Sequence, residues 1–455
     1  MRDPSNVPHR VHLVGAGGSG MSGLAKILSQ LGHAVSGSDL KPGRMFDALR
    51  DVGVDIWVGH APERIEGVDL VVASSAVPER DPELVAARQA GVPLWRRPRL
   101  LASVTEAAPT VGLAGTHGKT TSTALAVAAL RGAGGDPSFL LGGEVVGLNT
   151  GAHVGSDEVL VLEADEAFGT FRHLSLDAIL VTNVESDHLD YYQTVAAMED
   201  AFAQVVDRVA GPRLACIDDP GVRRLARRSE VSTYGFDQDA DWLMSDLRHE
   251  AGRSTFALTG RGTNVEVSLP KPGIHLASNA AGVVALLTSL GHDAEDVAAG
   301  LAEFGGVRRR YEVRAITDGI TIIDDYAHHP TEVAATIAAA RLASPGRVIA
   351  VFQPHRYSRT ADLGHEFGDP LALADEVIVT DVYAAGETPI IGVSGRLVAQ
   401  AAEAAGARIE YIKRLGDVAE HLAPSLQEGD TVLLLGAGDI NSVAPGLAAA
   451  IGDRP

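Results

Sequence analysis

The strongest constraint on the fold lies in residues 10–39, which read RVHLVGAGGSGMSGLAKILSQLGHAVSGSD. The apolar segment RVHLVG predicts a strand, and MSGLAKILSQLG places apolar residues at helical spacing. Gly15, Gly17 and Gly20 form the pattern G-x-G-x-x-G between the two, and Asp39 ends a second strand. Taken alone, this arrangement is typical of dinucleotide-binding enzymes, because such a turn lets a diphosphate approach a helix N-terminus.

Short apolar strands alternate with helical patterns along the whole chain, as in DLVVASSAV, TVGLAGTHGKTTSTALAVAAL, DAILVTNV and RVIAVFQP. Such alternation predicts an α/β fold, with mainly parallel sheets and helices on both faces. A length of 455 residues predicts about three domains. A charged, proline-containing segment at 96–109 and the later segment FGGVRRRYEVRA suggest boundaries, which gives predicted domains at 1–105, 106–311 and 312–455. Turn residues between alternating segments predict a hairpin within 253–270.

The composition excludes several classes of function. Lys and Arg number 38 against 59 Asp and Glu, and the formal net charge of −21 predicts repulsion from nucleic acid and anionic membranes. No apolar run approaches the ~18–20 residues of a membrane helix, and MRDPSNVPHR lacks the apolar core of a signal peptide. The single cysteine, Cys216, allows no disulfide within a chain and no cysteine metal cluster. We therefore expect a cytoplasmic protein in which placed Arg, Lys and helix N-termini hold anionic substrates.

The segment GTHGKTT, between an apolar strand and an Ala-rich helix, predicts a phosphate-binding P-loop. Lys119 would reach the β and γ phosphates of a nucleotide, and the Thr120 hydroxyl would hold Mg²⁺. Leu113 stands where the usual G-x-x-x-x-G-K-[ST] pattern has its first glycine, so the loop is a shorter variant. An ordinary glycine-rich turn that carries a lysine is the alternative. The predicted ATP-binding loop comprises Gly115, Thr116, His117, Gly118, Lys119, Thr120 and Thr121.

Two neighbouring strand ends carry side chains that can bind a metal. The segments LVLEADE and TNVESDHLDYY supply Glu163, Asp165, Glu166, Asn183, Glu185, Asp187, His188 and Asp190. Sheets of the α/β class bind ligands at the carboxyl ends of their strands. Next to a P-loop, these oxygen and imidazole groups predict a Mg²⁺-nucleotide site, with a solvated acidic turn as the alternative for either segment.

Histidines and arginines follow two strands of the predicted third domain. DDYAHHPTE follows ITII and FQPHRYSRT follows RVIAV, so one sheet edge is expected to carry His328, His329, His355, Arg356 and Arg359. Arginines at i and i+3 suit a carboxylate or phosphate clamp. A zinc site is the alternative for the histidines, although the usual zinc spacing is absent. The nearby segment RRRY could close over a nucleotide.

Seven segments in order resemble the Mur ligase family: GAGGSGMSGLA, GTHGKTT, EADE, TNVESDHLD, DDYAHHPTEV, FQPHRYSRT and DVYAAGETPIIG. The resemblance implies a Rossmann-like UDP-binding domain, a central P-loop ATPase α/β domain, and a C-terminal Rossmann-like domain that completes the site. It implies ligation of L-alanine to the lactyl carboxylate of UDP-N-acetylmuramate, driven by ATP with Mg²⁺ through an acyl phosphate. This would be the first peptide-bond step of cytoplasmic peptidoglycan precursor synthesis, performed by a monomer or a homodimer.

The resemblance also implies roles for individual residues. Thr120 and Glu163 would bind one Mg²⁺ and His188 a second, while Asn279 and Arg310 would contact ATP. The implied catalytic residues are Lys119, His188, Asp325 (at the ribose or the domain junction), His328, Arg356 and Arg359. The amino acid and the acyl phosphate would be surrounded by Tyr326, His328, His355, Arg356 and Arg359. The UDP-sugar would contact Gly15, Gly17, Gly18, Ser19, Gly20, Ser38, Asp39, Ser74 and Ser75.

The chain departs from the family pattern at two places. Ala167 and Phe168 follow EADE where the family usually has Ser-Asp, which affects the expected contacts to the sugar. Leu276 stands where the family often has Asn, which affects one expected contact on the adenine side.

Four other functions remain as alternatives. A murein tripeptide ligase that acts on the same UDP-sugar is the nearest, and GAGGSGMSG and HHPTEV argue against it. A folylpolyglutamate synthetase would lack the first domain. An oxidoreductase would leave the P-loop and the Arg–His cluster without a role, and a non-enzymatic nucleotide-binding protein would not need the reactive residues.

Because the predicted site combines residues from separate domains, we expect rigid-body closure of the third domain.

Overall fold

The computed structural model describes residues 1–43 and 45–452, without the side chains of Ser19 and Asp190. The predicted roles of those two side chains therefore lie outside the described part of the chain. The chain divides into two compact units. The first comprises Met1–Asp246, Phe256–Ser268 and Ser278–Gly305, and the second comprises Leu247–Thr255, Leu269–Ala277 and Gly306–Pro455.

A parallel sheet opens the first unit, with the spatial order β3-β2-β1-β4-β5. Its strands are β1 (Arg10–Val14), β2 (Ala34–Asp39), β3 (Asp55–Val58), β4 (Leu70–Ala73) and β5 (Leu94–Arg96). Its helices are α1 (Ser19–Gln30), α2 (Met45–Asp51), α3 (Pro82–Ala90) and α4 (Arg97–Glu106), with a 3-10 helix at Pro62–Ile65. The chain pairs β1 first with β2 on one side and later with β4 on the other, and sheets of this class bind ligands at such a point. The glycine turn between β1 and α1 lies there.

A second sheet has the order β15-β14-β13-β12-β11-β10-β6-β9-β7-β8. Its strands are β6 (Thr110–Ala114), β7 (Ser138–Val145), β8 (Thr150–His153), β9 (Leu160–Glu163), β10 (Ala178–Val181), β11 (Arg213–Cys216), β12 (Ser232–Gly235), β13 (Trp242–Glu250), β14 (Arg253–Gly260) and β15 (Thr263–Leu269). The helices are α5 (Lys119–Gly132), α6 (Leu189–Tyr192), α7 (Val195–Arg208), α8 (Pro220–Ala226), α9 (Ile274–Ser289) and α10 (Ala294–Ala302), with a 3-10 helix at Ala167–His173. β6 runs parallel to β9 and β10, so the segments that follow these three strands leave the same sheet edge.

One apolar core joins the first two sheets within the first unit. Leu24 of α1, Leu100 of α4 and Leu140 of β7 belong to the same buried cluster. Gly23 of α1 allows the close approach, because a Cβ there would lie 2.4 Å from Leu140 Cδ1. Residues 96–109, in which the sequence suggests a boundary, are mostly helix α4, and its apolar side chains pack into this core.

The second unit contains a sheet with the order β16-β17-β21-β18-β19-β20. Its strands are β16 (Glu312–Thr317), β17 (Ile320–Asp325), β18 (Val348–Phe352), β19 (Glu376–Val379), β20 (Ile409–Tyr411) and β21 (Thr431–Leu435). Its helices are α11 (Pro330–Ala343), α12 (Tyr357–Leu363), α13 (Gly368–Leu371), α14 (Gly395–Ala404), α15 (Val418–Leu422) and α16 (Val443–Gly452). Short 3-10 helices span Gly364–Phe367, Leu415–Asp417, Ala423–Ser425 and Ile440–Ser442. β17 and β18 both run parallel to β21 between them, so their carboxyl ends share one edge.

The predicted α/β class is confirmed, and the predicted hairpin within 253–270 is formed by β14 and β15. The sequence did not predict the antiparallel pair β7–β8 or the edge strand β16. Glycines interrupt β7, and β16 exposes half of its residues, so neither gives a clear apolar pattern. Within residues 1–43 and 45–452, no helix is both long and apolar enough to cross a bilayer.

Candidate active site

The glycine turn after β1 is held by the acidic residue at the end of β2. Gly17 N donates a 3.0 Å hydrogen bond to Asp39 Oδ2. Gly15 has φ +80°, a left-handed conformation that glycine adopts without strain. Gly18 then precedes the first turn of α1. Asp39 therefore fixes the turn itself, and the backbone N–H groups at the start of α1 are available to an anion.

Ser38, predicted to lie near the nucleoside, is buried instead. Its hydroxyl donates a 2.5 Å hydrogen bond to Glu83 Oε2, and the Glu83 side chain is fully buried. Glu83 Oε1 also accepts a hydrogen bond from Ala61 N at 3.0 Å. The Ser38 side chain thus joins β2 to α3 and is not among the residues that line the cavity described next.

A cavity of about 340 Å³ within the first unit begins at the glycine turn. Its lining includes Gly18, Gly20, Ser74, Ser75 and Arg97 from the part of the chain that forms the first sheet, and Leu140, Leu141, Gly142, Glu163, Asp165, Ala167 and Phe168 from the part that forms the second. The structure therefore brings four of the predicted UDP-sugar residues together with the carboxylates that follow β9. A cavity of this size, with apolar walls and a few polar groups, is typical of a small-molecule site.

Arg97 is a residue of this cavity that the sequence reasoning missed. It lies so close to the helix start that a Cβ added to Gly20 would be 2.8 Å from Arg97 Nε. Arg97 Nε is buried and makes no hydrogen bond within the described residues. The signal available in the sequence was position, because Arg97 directly follows β5 and so leaves the same sheet edge as the glycine turn.

The P-loop joins β6 to α5, as predicted, and Lys119 is folded back onto it. Lys119 Nζ donates hydrogen bonds to Gly115 O at 2.8 Å, Thr116 O at 3.0 Å and Glu166 Oε1 at 2.9 Å. Burial lowers the pKa of Lys119, but Glu166 and Asp165 outweigh it and hold that pKa well above its ordinary value. The ammonium is therefore protonated at the start of α5, where the sequence predicts a phosphate-binding loop.

Thr120 and Glu163 form a pair at the start of α5. The Thr120 hydroxyl donates a 2.8 Å hydrogen bond to Glu163 Oε1, and Gly142 N donates to Glu163 Oε2 at 2.5 Å. Glu163 also lines the cavity that begins at the glycine turn. The same carboxylate therefore belongs both to the surroundings of the P-loop and to the cavity wall.

Residues after β10 shape the P-loop from the other side. Asn183 accepts a hydrogen bond from His117 N at 2.8 Å and donates one to His117 O at 3.0 Å. Gly115 has φ +135°, and a Cβ there would lie 2.1 Å from Thr182 Oγ1. The predicted ATP contact Asn279 packs on Gly118, because a Cβ at Gly118 would lie 3.0 Å from its amide nitrogen.

His188 approaches the same cluster from the start of α6. Its backbone is left-handed, with φ 54° and ψ 34°, and its Nε2 lies 3.6 Å from Glu166 Oε1. The structure thus brings together the predicted P-loop residues, both predicted metal-binding segments and Asn279 in the first unit.

In the second unit, Asp325 ends β17 in a buried position. Its carboxylate accepts hydrogen bonds from Tyr311 N at 2.7 Å and from Ala327 N at 2.8 Å. Burial raises the pKa of Asp325 to about 6, while Arg310 and these two hydrogen bonds oppose the rise. Asp325 therefore organises the turn into α11.

The two histidines after β17 have different environments. The His329 side chain caps α11 and accepts a hydrogen bond from Thr331 N at 3.4 Å, and Glu332 completes a capping box. His328 Nδ1 lies 3.0 Å from Tyr326 O and 3.2 Å from Glu332 Oε2. His328 faces the groups that follow β18, since its ring centroid lies 6.0 Å from that of His355.

His355, Arg356 and Arg359 follow β18 at the same edge. His355 stacks on Tyr383 with a centroid distance of 5.7 Å, and Arg356 adopts φ 67°. Burial and the nearby His328, Arg356 and Arg359 lower the pKa of His355 to about 4. Within the described residues, no group of at least three metal-ligand side chains includes His328 or His355.

Arg310 lies close to the same residues of the second unit. Its guanidinium carbon is 5.0 Å from the centroid of the Tyr326 ring, and its Nη1 is 3.7 Å from Glu332 Oε1. The predicted nucleotide and amino-acid residues of this unit are therefore close to one another.

Three family models match the chain in order. They describe the catalytic domain of the Mur ligase family at residues 10–108, the Mur ligase middle domain at 113–287 and the Mur ligase glutamate ligase domain at 309–438. The chain belongs to the Mur ligase family.

Relatives in the Mur ligase family match nearly the whole chain. The UDP-N-acetylmuramate–L-alanine ligase of Acidothermus cellulolyticus is 45% identical and covers 96% of this chain and 94% of its own length. The ligase of the same name from Clavibacter michiganensis is 42% identical over 98% of this chain and 94% of its own.

Solved Mur ligase structures have the same fold. The UDP-N-acetylmuramate-alanine ligase of Thermotoga maritima is 28% identical, with a TM-score of 0.83 and coverage of 97% of this chain and 98% of its own. A murein peptide ligase from Psychrobacter arcticus is 23% identical, with a TM-score of 0.70 over 98% of this chain and 100% of its own, which shows a shared fold only.

The two departures from the Mur ligase pattern occupy different environments. Leu276 is buried in the first turn of α9. Phe168 is 56% exposed, adopts φ 54°, and lines the cavity of the first unit. Of the two, only Phe168 lies where it can touch a ligand of that cavity.

Proposed function

We propose that the chain is an ATP-dependent ligase that joins L-alanine to the lactyl carboxylate of UDP-N-acetylmuramate, the first peptide-bond step of peptidoglycan precursor synthesis. The observation that carries this proposal is the position of Glu163, which accepts a hydrogen bond from Thr120 and lines the cavity that begins at Gly18 and Gly20. A sugar nucleotide held at the glycine turn would reach the P-loop through one cavity. The names of relatives 45% and 42% identical to this chain support the same reaction.

The proposed chemistry has two steps. A lactyl carboxylate oxygen attacks the γ phosphorus of ATP, the bond to the bridging oxygen breaks, and ADP leaves with the electron pair. The uncharged amine of alanine then attacks the acyl carbon, phosphate leaves from the tetrahedral intermediate, and the amine releases a proton. Because the first step brings two anions together, the buried Lys119 ammonium would lower its barrier by offsetting their repulsion.

The residues around the P-loop fit Mg²⁺, which prefers oxygen ligands. The Thr120 hydroxyl and the Glu163 carboxylate are adjacent, with 2.8 Å between their oxygens, and would hold one ion. The His188 imidazole lies 3.6 Å from Glu166 Oε1 and would help to hold a second. When bound, Mg²⁺ would supply positive charge to the phosphate oxygens.

The residues of the second unit would bind the other reactants. Arg356 and Arg359 would hold the alanine carboxylate, with His328 and His355 close to the amine. Arg310 and Asp325 would contact the nucleotide.

Since the reaction needs groups from both units, we propose that turnover involves closure of a C-terminal domain, in the three-domain arrangement 1–105, 106–311 and 312–455. We also propose that the enzyme works in the cytoplasm as a monomer or homodimer.

Phosphate release tests the proposal and its main alternative, a murein tripeptide ligase. The enzyme is incubated with ATP, Mg²⁺ and UDP-N-acetylmuramate, together with L-alanine, glycine, L-serine or the L-Ala-γ-D-Glu-meso-diaminopimelate tripeptide. We expect the fastest release with L-alanine and none without the UDP-sugar. Release only with the tripeptide would establish the alternative, and release that does not depend on the UDP-sugar would contradict both.

A further inference from the structure

Phe168 has three properties that together point to a contact with a ligand of the cavity. It is 56% exposed, it lines the cavity of the first unit, and its backbone is left-handed with φ 54° and ψ 23°. A bulky residue in this region is a genuine outlier, and such strain persists where the surrounding structure imposes it.

The surrounding structure imposes this conformation through a tight turn and two tyrosines. Gly169 N donates to Glu166 O at 2.9 Å, and a Cβ at Gly169 would lie 2.6 Å from the Tyr191 hydroxyl. The rings of Phe168 and Tyr191 meet edge to face, with centroids 6.1 Å apart, and Tyr191 meets Tyr192 in the same way at 4.9 Å.

Tyr192, the innermost of these three aromatic residues, is held in place by a hydrogen bond. The buried Tyr192 hydroxyl donates a 2.6 Å hydrogen bond to Glu166 O, in the segment that follows β9. The stack therefore presents Phe168 from a rigid support at the end of the strand that carries Glu163.

Two chemically different groups of residues line the cavity. Gly18, Gly20 and Arg97 offer backbone N–H groups and a guanidinium, which suit a diphosphate. Glu163 and Asp165 line the same cavity next to the P-loop, since Lys119 Nζ lies 3.9 Å from Asp165 Oδ1. A carboxylate that attacks ATP must come to these acidic residues, and Phe168 follows them in the same segment of the chain.

We infer that Phe168 packs against the muramyl group of the sugar nucleotide, on its lactyl ether side, and helps to select this group over sugars without a lactyl substituent. The inference rests on the proposed function. Leu140, Leu141 and Leu162 line the same cavity, so Phe168 adds to an apolar wall against which a lactyl methyl group can be buried.

The test compares Phe168→Ala and Phe168→Asn with the unchanged enzyme. For both variants we expect the KM for UDP-N-acetylmuramate to rise about tenfold, because a buried aromatic contact is lost. The dissociation constants of UDP and UDP-N-acetylglucosamine, which lack the lactyl group, should change less than about twofold, as should the KM for ATP. Leu373→Asn, an exposed apolar residue of the second unit, is the matched control and should change none of these values.

Thermal unfolding separates binding from folding. Asn tolerates the left-handed conformation, so Phe168→Asn should unfold at the same temperature as the unchanged enzyme or a higher one, although it binds the sugar nucleotide more weakly. An unchanged KM for UDP-N-acetylmuramate in both variants would overturn the inference, and so would an equal loss of affinity for UDP. If the unchanged enzyme binds UDP but releases no phosphate with UDP-N-acetylmuramate and any amino acid, the proposed function itself fails.

Discussion

The Thr120 hydroxyl donates a 2.8 Å hydrogen bond to Glu163 Oε1 and so links the first turn of α5 to the end of β9. Thr120→Val keeps the shape of the side chain but removes its oxygen. We expect the Mg²⁺ concentration for half-maximal phosphate release to rise about 10- to 100-fold, since a metal site loses a direct or supporting ligand. Thr123→Val is the control, because the Thr123 hydroxyl donates to Lys119 O within the same helix at 2.8 Å. An equal effect in both variants would contradict a metal role for Thr120.

Lys119 is the cation expected to act on the phosphates. Lys119→Met should lower the rate of phosphate release about 10²- to 10³-fold, as expected when a preorganised charge at the reacting group is lost. The same change leaves Glu166 buried without its cation, so the variant should also be less stable.

The double variant Lys119→Met/Glu166→Gln separates these two effects. It should recover much of the stability, measured by urea unfolding, without recovering activity. Lys413→Met, at an exposed position, should behave like the unchanged enzyme. Full activity of the Lys119→Met variant would refute the P-loop assignment.

Arg97 should bind the diphosphate of the sugar nucleotide, because it lies on Gly20 at the start of α1. Arg97→Ala should raise the KM for UDP-N-acetylmuramate and the dissociation constant of UDP about 10-fold or more, without changing the KM for ATP. Arg99→Ala is the matched control, since Arg99 lies on the same helix but stacks on the Trp95 ring at 4.2 Å. If both arginines have the same small effect, Arg97 is not a ligand of the diphosphate.

Gly115 cannot accept a side chain where the P-loop meets β10. A Cβ would lie 2.1 Å from Thr182 Oγ1 at a φ of +135°, so Gly115→Ala should destabilise the enzyme by about 2–4 kcal/mol and weaken ATP binding. Gly134→Ala tests backbone conformation alone, because Gly134 has φ +86° and no atom within 4 Å of a new Cβ. Denaturant unfolding and ATP titration should show the larger loss for Gly115, and equal losses would contradict the steric argument.

His355 should make stability depend on pH below neutrality. Its pKa falls from 6.5 to about 4 on folding, mainly through burial, so the unfolded chain binds a proton in this window that the folded chain does not. This contribution to stability is complete above pH 6.5 and is lost as the pH falls towards 4. His355→Gln should therefore reduce the loss of stability between pH 7.5 and pH 5 in urea titrations. His365→Gln, at an exposed histidine, should not, and equal pH dependence in all three proteins would contradict the burial of His355.

The local patterns of the sequence determined many of the strands and helices and the position of the two turns that are predicted to bind phosphate. Apolar segments of about five residues followed by glycine and a helical pattern are short-range signals, and they identified β1 with α1 and β6 with α5 correctly. The same logic identified the strand ends that carry Glu163, His328 and His355, because parallel strands of one sheet end at a common edge.

Only the tertiary structure decided which side chains at those edges can meet a ligand. Ser38 stands beside the glycine turn in the predicted site, yet it is hydrogen bonded to Glu83, which is 45 residues away in the sequence. His329 follows His328 directly, but its side chain caps α11. Arg97 belongs to the segment in which the sequence suggests a boundary, and packing of α4 brings it onto Gly20. Burial, capping and packing of this kind depend on contacts with other side chains, many of them far along the chain. The spacing of residues in the sequence does not predict these contacts.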